Sequence, residues 1–153
     1  MSDFTIVIDT REQLLWSFSQ YNVDVKIDTI KTADYKIEGD DYFGIERKSM
    51  DDFIGTISSG WERFKRELQR MNDEDWVAKV IIVEGNYEGC CYNTRQEEVI
   101  PPQHNHYRIT PQFIQKQIAV LTLMNVSVIF AGSPSLAAGL AFVIFKERYE
   151  EIR

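Results

Sequence analysis

From residue 79 onward the chain alternates apolar runs suited to buried strands with segments that open on a helix cap. That order leaves little choice but a sheet covered by helices. Residues 79–84 form the strongest core strand by composition, and Thr110-Pro111 then stands in N-cap and N1 order before Phe113, Ile114, Gln117, Ile118, Leu121 and Met124. Residues 126–131 are the last apolar run, and Ser133-Pro134 repeats the cap ahead of a helix that is nearly all apolar from Leu136 through Phe145. In the first half, residues 4–8 read as a buried strand and 23–30, where Val and Ile alternate with Asp24, Lys26 and Asp28, as a half-buried one. Leu14, Leu15 and Phe18 predict a helix over 12–20. Met50, Phe53, Ile54 and Ile57 recur at three and four, and after Ser58-Ser59-Gly60 a second helix opens with the stripe Trp61, Phe64, Leu68, Met71. The expectation is one domain over 1–153, an α/β three-layer arrangement around a central mixed sheet.

The chemistry is densest between residues 34 and 52. Tyr42-Phe43-Gly44-Ile45-Glu46 reads as a strand, the segment beginning at Asp34 as its partner, and Glu38-Gly39-Asp40-Asp41 as the turn between them. Residues two apart on a strand share a face, so Glu46 and Lys48 point one way and Arg47 the other. Asp34 and Glu46 can thus converge with a lysine. Magnesium is held by one or two carboxylates together with water and substrate phosphate, which makes Asp34 and Glu46 ligand candidates. Lys48 is placed to orient a water or to stabilise negative charge developing on a phosphate. As an isolated triplet, Glu46-Arg47-Lys48 reads as no more than a charged strand end; its surroundings change that.

Those surroundings are Ile6-Val7-Ile8-Asp9-Thr10-Arg11-Glu12, Ala33-Asp34-Tyr35, and Gly44-Ile45-Glu46-Arg47-Lys48-Ser49-Met50-Asp51-Asp52-Phe53-Ile54. Ser59-Gly60-Trp61-Glu62-Arg63-Phe64, Val80-Ile81-Ile82-Val83-Glu84-Gly85, Thr110-Pro111 and Val128-Ile129-Phe130-Ala131-Gly132 follow in order. Over essentially its whole length the chain resembles the nuclease domain of the XPF-type structure-specific endonucleases, the excision-repair type within the PD-(D/E)XK superfamily. The resemblance implies a restriction-endonuclease-like α/β/α fold and a Mg²⁺- or Mn²⁺-dependent endonuclease that cuts DNA at branched or single-strand/double-strand junctions. It implies that Asp9, Asp34 and Glu46 surround the metal, with Arg11, Arg47, Lys48 and Asp52 completing the active site. By alternation Arg47 is the member turned away, suited to phosphate contact or support. Asp52 also has an ordinary reading, as an acid in the first turn of a helix. At Ala33 the chain departs from the family's usual glycine, which puts the backbone of that turn in question.

Net charge of −7 and a pI near 4.9 argue against a general nucleic-acid coat, yet no Asp or Glu falls between Glu98 and Glu147. Arg63, Arg66 and Arg70 form one stripe on the second helix, a candidate DNA-binding track or a solvated face paired with Glu62 and Glu67. Residues 85–108 read as one irregular stretch, either a substrate-engaging flap in which Tyr87, Tyr92 and Tyr107 stack on bases or an ordered loop with its tyrosines inward. Glu84 reads as the polar end of its strand more readily than as a metal neighbour. Cys90 and Cys91 are adjacent and lack Cys-x-x-Cys spacing, so zinc with His104 and His106 is disfavoured. With no long uncharged apolar run and no basic start, the chain reads as intracellular, with no membrane partner. The family's helix-hairpin-helix module is not expected within 1–153. The last helix, apolar all round, predicts burial on more than one side: in a homodimer through the C-terminal helices, as the family's nuclease domains pair, or within the chain. A heteromer with a DNA-binding subunit is the other assembly expected. Two alternatives remain: a catalytically silent DNA- or partner-binding module of the same fold, and a nuclease of the superfamily acting on general DNA or on RNA.

Overall fold

In the computed structural model, which describes residues 3–95, 98–100 and 109–153, a mixed sheet is built from β1 (Thr5–Asp9), β2 (Asp24–Asp28), β3 (Tyr35–Ile37), β4 (Phe43–Ser49), β5 (Ala78–Glu84) and, after a separate hairpin of β6 (Asn93–Arg95) and β7 (Glu98–Ile100), β8 (Val126–Phe130). The strand order is β2-β1-β3-β4-β5-β8. β1 is parallel to β2, and β4, β5 and β8 are mutually parallel, whereas β3 is antiparallel to both β1 and β4. β3 alone is therefore reversed. The carboxyl ends of β1, β4 and β5 gather at one edge together with the start of β3, and in open α/β sheets that edge is where ligands bind.

Side-chain alternation splits the core in two. Ile6, Ile8, Tyr35, Ile37, Phe43, Ile45, Val80 and Ile82 pack on one face against Ala137, Ala138, Ala141 and Phe145 of α5 (Pro134–Ile152). On the other face Ile81, Val83 and Val126 meet α1 (Met50–Ile57), α2 (Trp61–Asp73) and α4 (Pro111–Leu123). Ser49, Thr110 and Ser133 cap α1, α4 and α5, each side-chain hydroxyl accepting a backbone N–H of the first turn. Gln117, buried on α4, donates Nε2 to Ile57 O at 2.8 Å and so ties α4 to the end of α1. No described helix is long and apolar enough to cross a membrane.

Three expectations change. Residues 12–20 form no helix. Trp16 and Phe18, two apart, are buried while Leu15 and Ser17 before and between them are exposed, the alternation of an extended segment. Trp16 stacks on Tyr35 at 4.5 Å and donates its backbone N–H to Tyr35 Oη at 3.1 Å, so the segment is held by another element's side chain instead of its own helical bonds. β2 is exposed at all five residues, not half-buried, because it is a sheet edge that neither helical layer covers. The stretch after β5 is partly regular: Asn86 caps a short α3 (Tyr87–Cys91), whose two cysteines are buried, and β6 pairs with β7. Tyr87 meets Phe130 edge-on at 5.3 Å, which turns it toward the body of the protein. His104, His106, Tyr107 and Arg108, on which the zinc and part of the flap readings rest, lie outside the described residues. On α5 burial within the chain is partial. Phe142 stacks on Tyr21 within the chain, while Leu136 and Val143 stay exposed.

Ala33 carries φ of +86° while 7% exposed, so the alanine occupies backbone that favours glycine. Replacing it with glycine relieves that strain but adds chain entropy and removes a buried methyl. Ala33→Gly is therefore expected to change unfolding free energy by no more than about 1 kcal/mol in urea denaturation. Ala33→Val, β-branched at positive φ, is expected to cost about 2 kcal/mol or more.

Candidate active site

The alternation that builds the core also sorts the polar groups. On β1, Ile6 and Ile8 face α5, so Asp9 faces the α1/α2 side; Tyr35 and Ile37 likewise leave Asp34 on that side. On β4, Ile45 faces α5, which puts Glu46 and Lys48 with the acids and Arg47 opposite. A cleft of about 480 Å³ runs past Asp9, Arg11, Asp34, Glu46, Arg63 and Arg70. A second, of about 680 Å³, runs between α1 and α2 past Lys48, Asp52, Gly60 and Arg63, and shares Glu46 and Glu67 with the first.

Asp9 is 2% exposed and both its oxygens are engaged: Oδ1 accepts Ile30 N–H at 2.9 Å and Oδ2 accepts Arg11 Nε–H at 2.7 Å. Arg11 also donates Nη2 to Ile30 O at 2.7 Å, closing a three-way lock. Burial pushes the Asp9 carboxyl up, but these donors hold it below its usual range. The Asp34 carboxylate accepts the backbone N–H of Arg47, 2.9 Å from Oδ2. Its pKa is pushed up to about 7, first by burial and then by the charge of Glu46. Glu46 experiences the reverse. Burial pushes it up, but Lys79 at 2.9 Å and Lys48 at 3.4 Å hold it below the usual carboxylate range.

Arg47 lines neither cleft. Its guanidinium holds the Glu84 carboxylate and the Leu14 carbonyl and lies 5.4 Å over the Trp16 ring, so it clamps residues 14–16 to the ends of β4 and β5. Glu84 is thereby the polar end of its strand, occupied by Arg47. Asp52 stands in the first turn of α1, its backbone N–H donated to Ser49 Oγ at 3.1 Å, and its residue lines the second cleft with Lys48. Arg63 lines both clefts and Arg70 the first, where Arg70 also donates to Thr32 Oγ1 at 2.8 Å; Arg66 is exposed and lines neither. The structure thus brings together Asp9, Arg11, Asp34, Glu46, Lys48, Asp52, Arg63 and Arg70, and leaves Arg47 and Arg66 apart.

Among the described residues no three His, Cys, Asp or Glu side chains are grouped as a metal cage. A pair of acids on one cleft, one raised to a pKa of about 7 by burial and then by the charge of the other, is nonetheless a donor set for a hard cation that retains water and phosphate ligands. The residues fit magnesium or manganese: Asp34 and Glu46 would hold the ion, and Asp9, the third ligand expected, lines the same cleft with its oxygens on Arg11 and Ile30. Lys79 at this centre escapes the sequence reading, and Glu67, read there as a partner of the arginine stripe, is paired with Lys79. The lysine's signal is present in the chain: Lys79 is a charge inside the apolar run of β5, and a buried lysine must have partners.

The ERCC4 domain model matches residues 8–143. Among solved structures, "XPF from Aeropyrum pernix" superposes with a TM-score of 0.68 at 19% identity, covering 95% of this chain and 65% of that one. A second, "XPF from Aeropyrum pernix, complex with DNA", gives 0.65 at 20% identity, covering 97% and 66%. The chain therefore spans slightly less than two-thirds of either, and at these identities the likeness establishes the fold. Among curated proteins none matches significantly. With the family model covering most of its length, the chain belongs to the ERCC4 domain family.

Proposed function

We propose that the chain is a divalent-metal-dependent endodeoxyribonuclease that hydrolyses DNA at branched or single-strand/double-strand junctions. The observation that carries this reading is the pairing of Asp34 and Glu46 on one cleft, the first raised to a pKa of about 7 by burial and by the second, with Lys48 beside Glu46. When bound, Mg²⁺ or Mn²⁺ on these acids supplies a Lewis acid and an activated water. Lys48, 3.4 Å from Glu46 and open to the second cleft, stabilises charge on the phosphate oxygens. Asp9 keeps Arg11 aimed along the first cleft through their 2.7 Å bond, so that Arg11 can meet a phosphate. Arg47 supports the site by fixing Asp34 through its backbone N–H. The two clefts meeting at Glu46 offer a backbone track on either side of the reacting phosphate. Cleavage of flap, fork, four-way, single-stranded and RNA substrates with Mg²⁺, Mn²⁺ or EDTA tests the reading; undiminished cleavage in excess EDTA overturns it, and equal rates on unbranched DNA remove the junction preference.

Arg63 and Arg70 face the clefts, and Arg66 continues the stripe at the surface. Replacing all three by alanine is expected to weaken binding to DNA of any sequence and to flatten the dependence of log K on log salt by about 2 to 3, close to one for each phosphate no longer neutralised. Arg66 contributes least. Fluorescence anisotropy across a salt series measures this, and an unchanged slope makes the stripe a solvated face.

Two copies pair through α5 and α4 in this reading, supported by apolar side chains left outside the core: Leu136 at 67%, Val143 at 49% and Leu123 at 88% exposed. Sedimentation equilibrium is expected to give about twice the 17.9 kDa chain mass; a lone chain at high micromolar concentration leaves a different DNA-binding subunit as the partner.

A further inference from the structure

Lys79 is fully enclosed, with 1% of its surface exposed, on the α2 side of β5. The register explains how it reaches the site. Glu46 pairs across to Ile81, and Lys79, two residues earlier on β5, shares the face of Ile81 and lies diagonally beside Glu46. Its Nζ stands 2.9 Å from Glu46 Oε1 and 2.9 Å from Glu67 Oε1, with the Phe64 ring centroid 5.2 Å away. One ammonium thus bridges a carboxylate of β4 and one of α2. A buried charge is costly unless paired, and an apolar residue would fill β5 as its neighbours do. What an apolar residue could not do is fix Glu46. With Lys79 on Oε1 and Lys48 on Oε2 at 3.4 Å, the plane of that carboxylate is defined from both sides.

We propose that Lys79 is a positioning residue for the proposed nuclease reaction: held by Glu67, it orients Glu46 to receive the divalent metal while touching neither metal nor DNA. Glu67 lies one helical turn after Arg63 and lines both clefts with it, so the bridge reaches Glu46 from the α2 wall of the clefts. Partners behind a metal ligand commonly govern affinity and activity in this way. The inference rests on the metal-dependent reading, and its test separates the two.

The test is Lys79→Met, an apolar side chain of similar length, with Mn²⁺ binding to the full chain followed by calorimetry at one pH. Melting by circular dichroism, DNA affinity in EDTA and cleavage rates accompany it. Mn²⁺ affinity is expected to fall about 10- to 100-fold and kcat to fall with it, while DNA affinity in EDTA and KM for DNA stay within about twofold of the unaltered chain. Should Lys79→Met fail to fold, Glu67→Gln at its partly exposed position decides: it leaves the lysine in place, removes its anchoring charge, and is expected to weaken Mn²⁺ binding about tenfold. Unaltered Mn²⁺ affinity and kcat in folded Lys79→Met, or in Glu67→Gln where it is the deciding variant, overturns this inference alone. Absence of Mn²⁺ binding in the unaltered protein overturns the metal reading, and this inference with it.

Discussion

Glu46→Gln is expected to lower metal-dependent cleavage by a factor on the order of 10³, with Lys48→Ala falling about 10²- to 10³-fold, the scale for losing one group aimed at developing charge. Asp34→Asn is expected to fall as far as Glu46→Gln. Glutamine keeps an oxygen for Lys79 but has no charge for a metal, so the loss is expected in metal affinity as well as in rate. The three substitutions differ in their effect on stability. Lys48 is partly exposed and its loss is nearly neutral, whereas Glu46 is 8% exposed and bonded to the enclosed Lys79. Weakening that pair costs about 1–2 kcal/mol, visible as a lower melting temperature with the fold retained. Single-turnover cleavage of a forked substrate, with melting on the same samples, measures both. Full activity in Glu46→Gln would sink the assignment of the site.

Mg²⁺ affinity is expected to rise steeply with pH up to about 7 and then level off. The cause is Asp34, whose carboxyl is raised from 3.8 to about 7 by burial and by Glu46, so the metal-free protein keeps a proton there over that window. Because the folded chain binds this proton more tightly than the unfolded one, the group favours folding at low pH, and that contribution is lost as pH rises from about 4 to 7. A cation that occupies Asp34 must displace the proton. Below pH 7 affinity is therefore expected to change about tenfold per pH unit, the slope for one proton released. Calorimetry in two buffers of different ionisation enthalpy reads the released proton directly. Asp34→Asn abolishes that dependence together with much of the binding, and an affinity flat between pH 5.5 and 7.5 would place the metal elsewhere.

Local periodicity carried much of this protein into view. The hairpin with Asp34 at its edge, the caps at Thr110 and Ser133, and the stripes of α1 and α2 depend on neighbours one to four positions away, and the structure reproduces them. The helix expected over 12–20 failed for a non-local reason: Tyr35 and Arg47, from other elements, engage Trp16 and the Leu14 carbonyl more favourably than a helical turn of this short segment could. β2 looked half-buried because Val and Ile alternate there, but alternation says which side chains share a face and not whether anything covers it.

At the site the division is the same. By itself the sequence determined that Glu46 and Lys48 share a face with Arg47 opposite, since the two-residue period of a strand is a property of the backbone. The motif order determined the family and, with it, which acids to examine. Only the tertiary structure decided what surrounds them: Asp9 is locked by Arg11 and Ile30, Arg47 is spent on Glu84, and Lys79 stands between Glu46 and Glu67. Those partnerships depend on the register of β4 against β5 and on the docking of α2. A charge is compensated by whatever lies within a few ångströms in space, and that distance is set by packing across elements that sequence spacing does not encode.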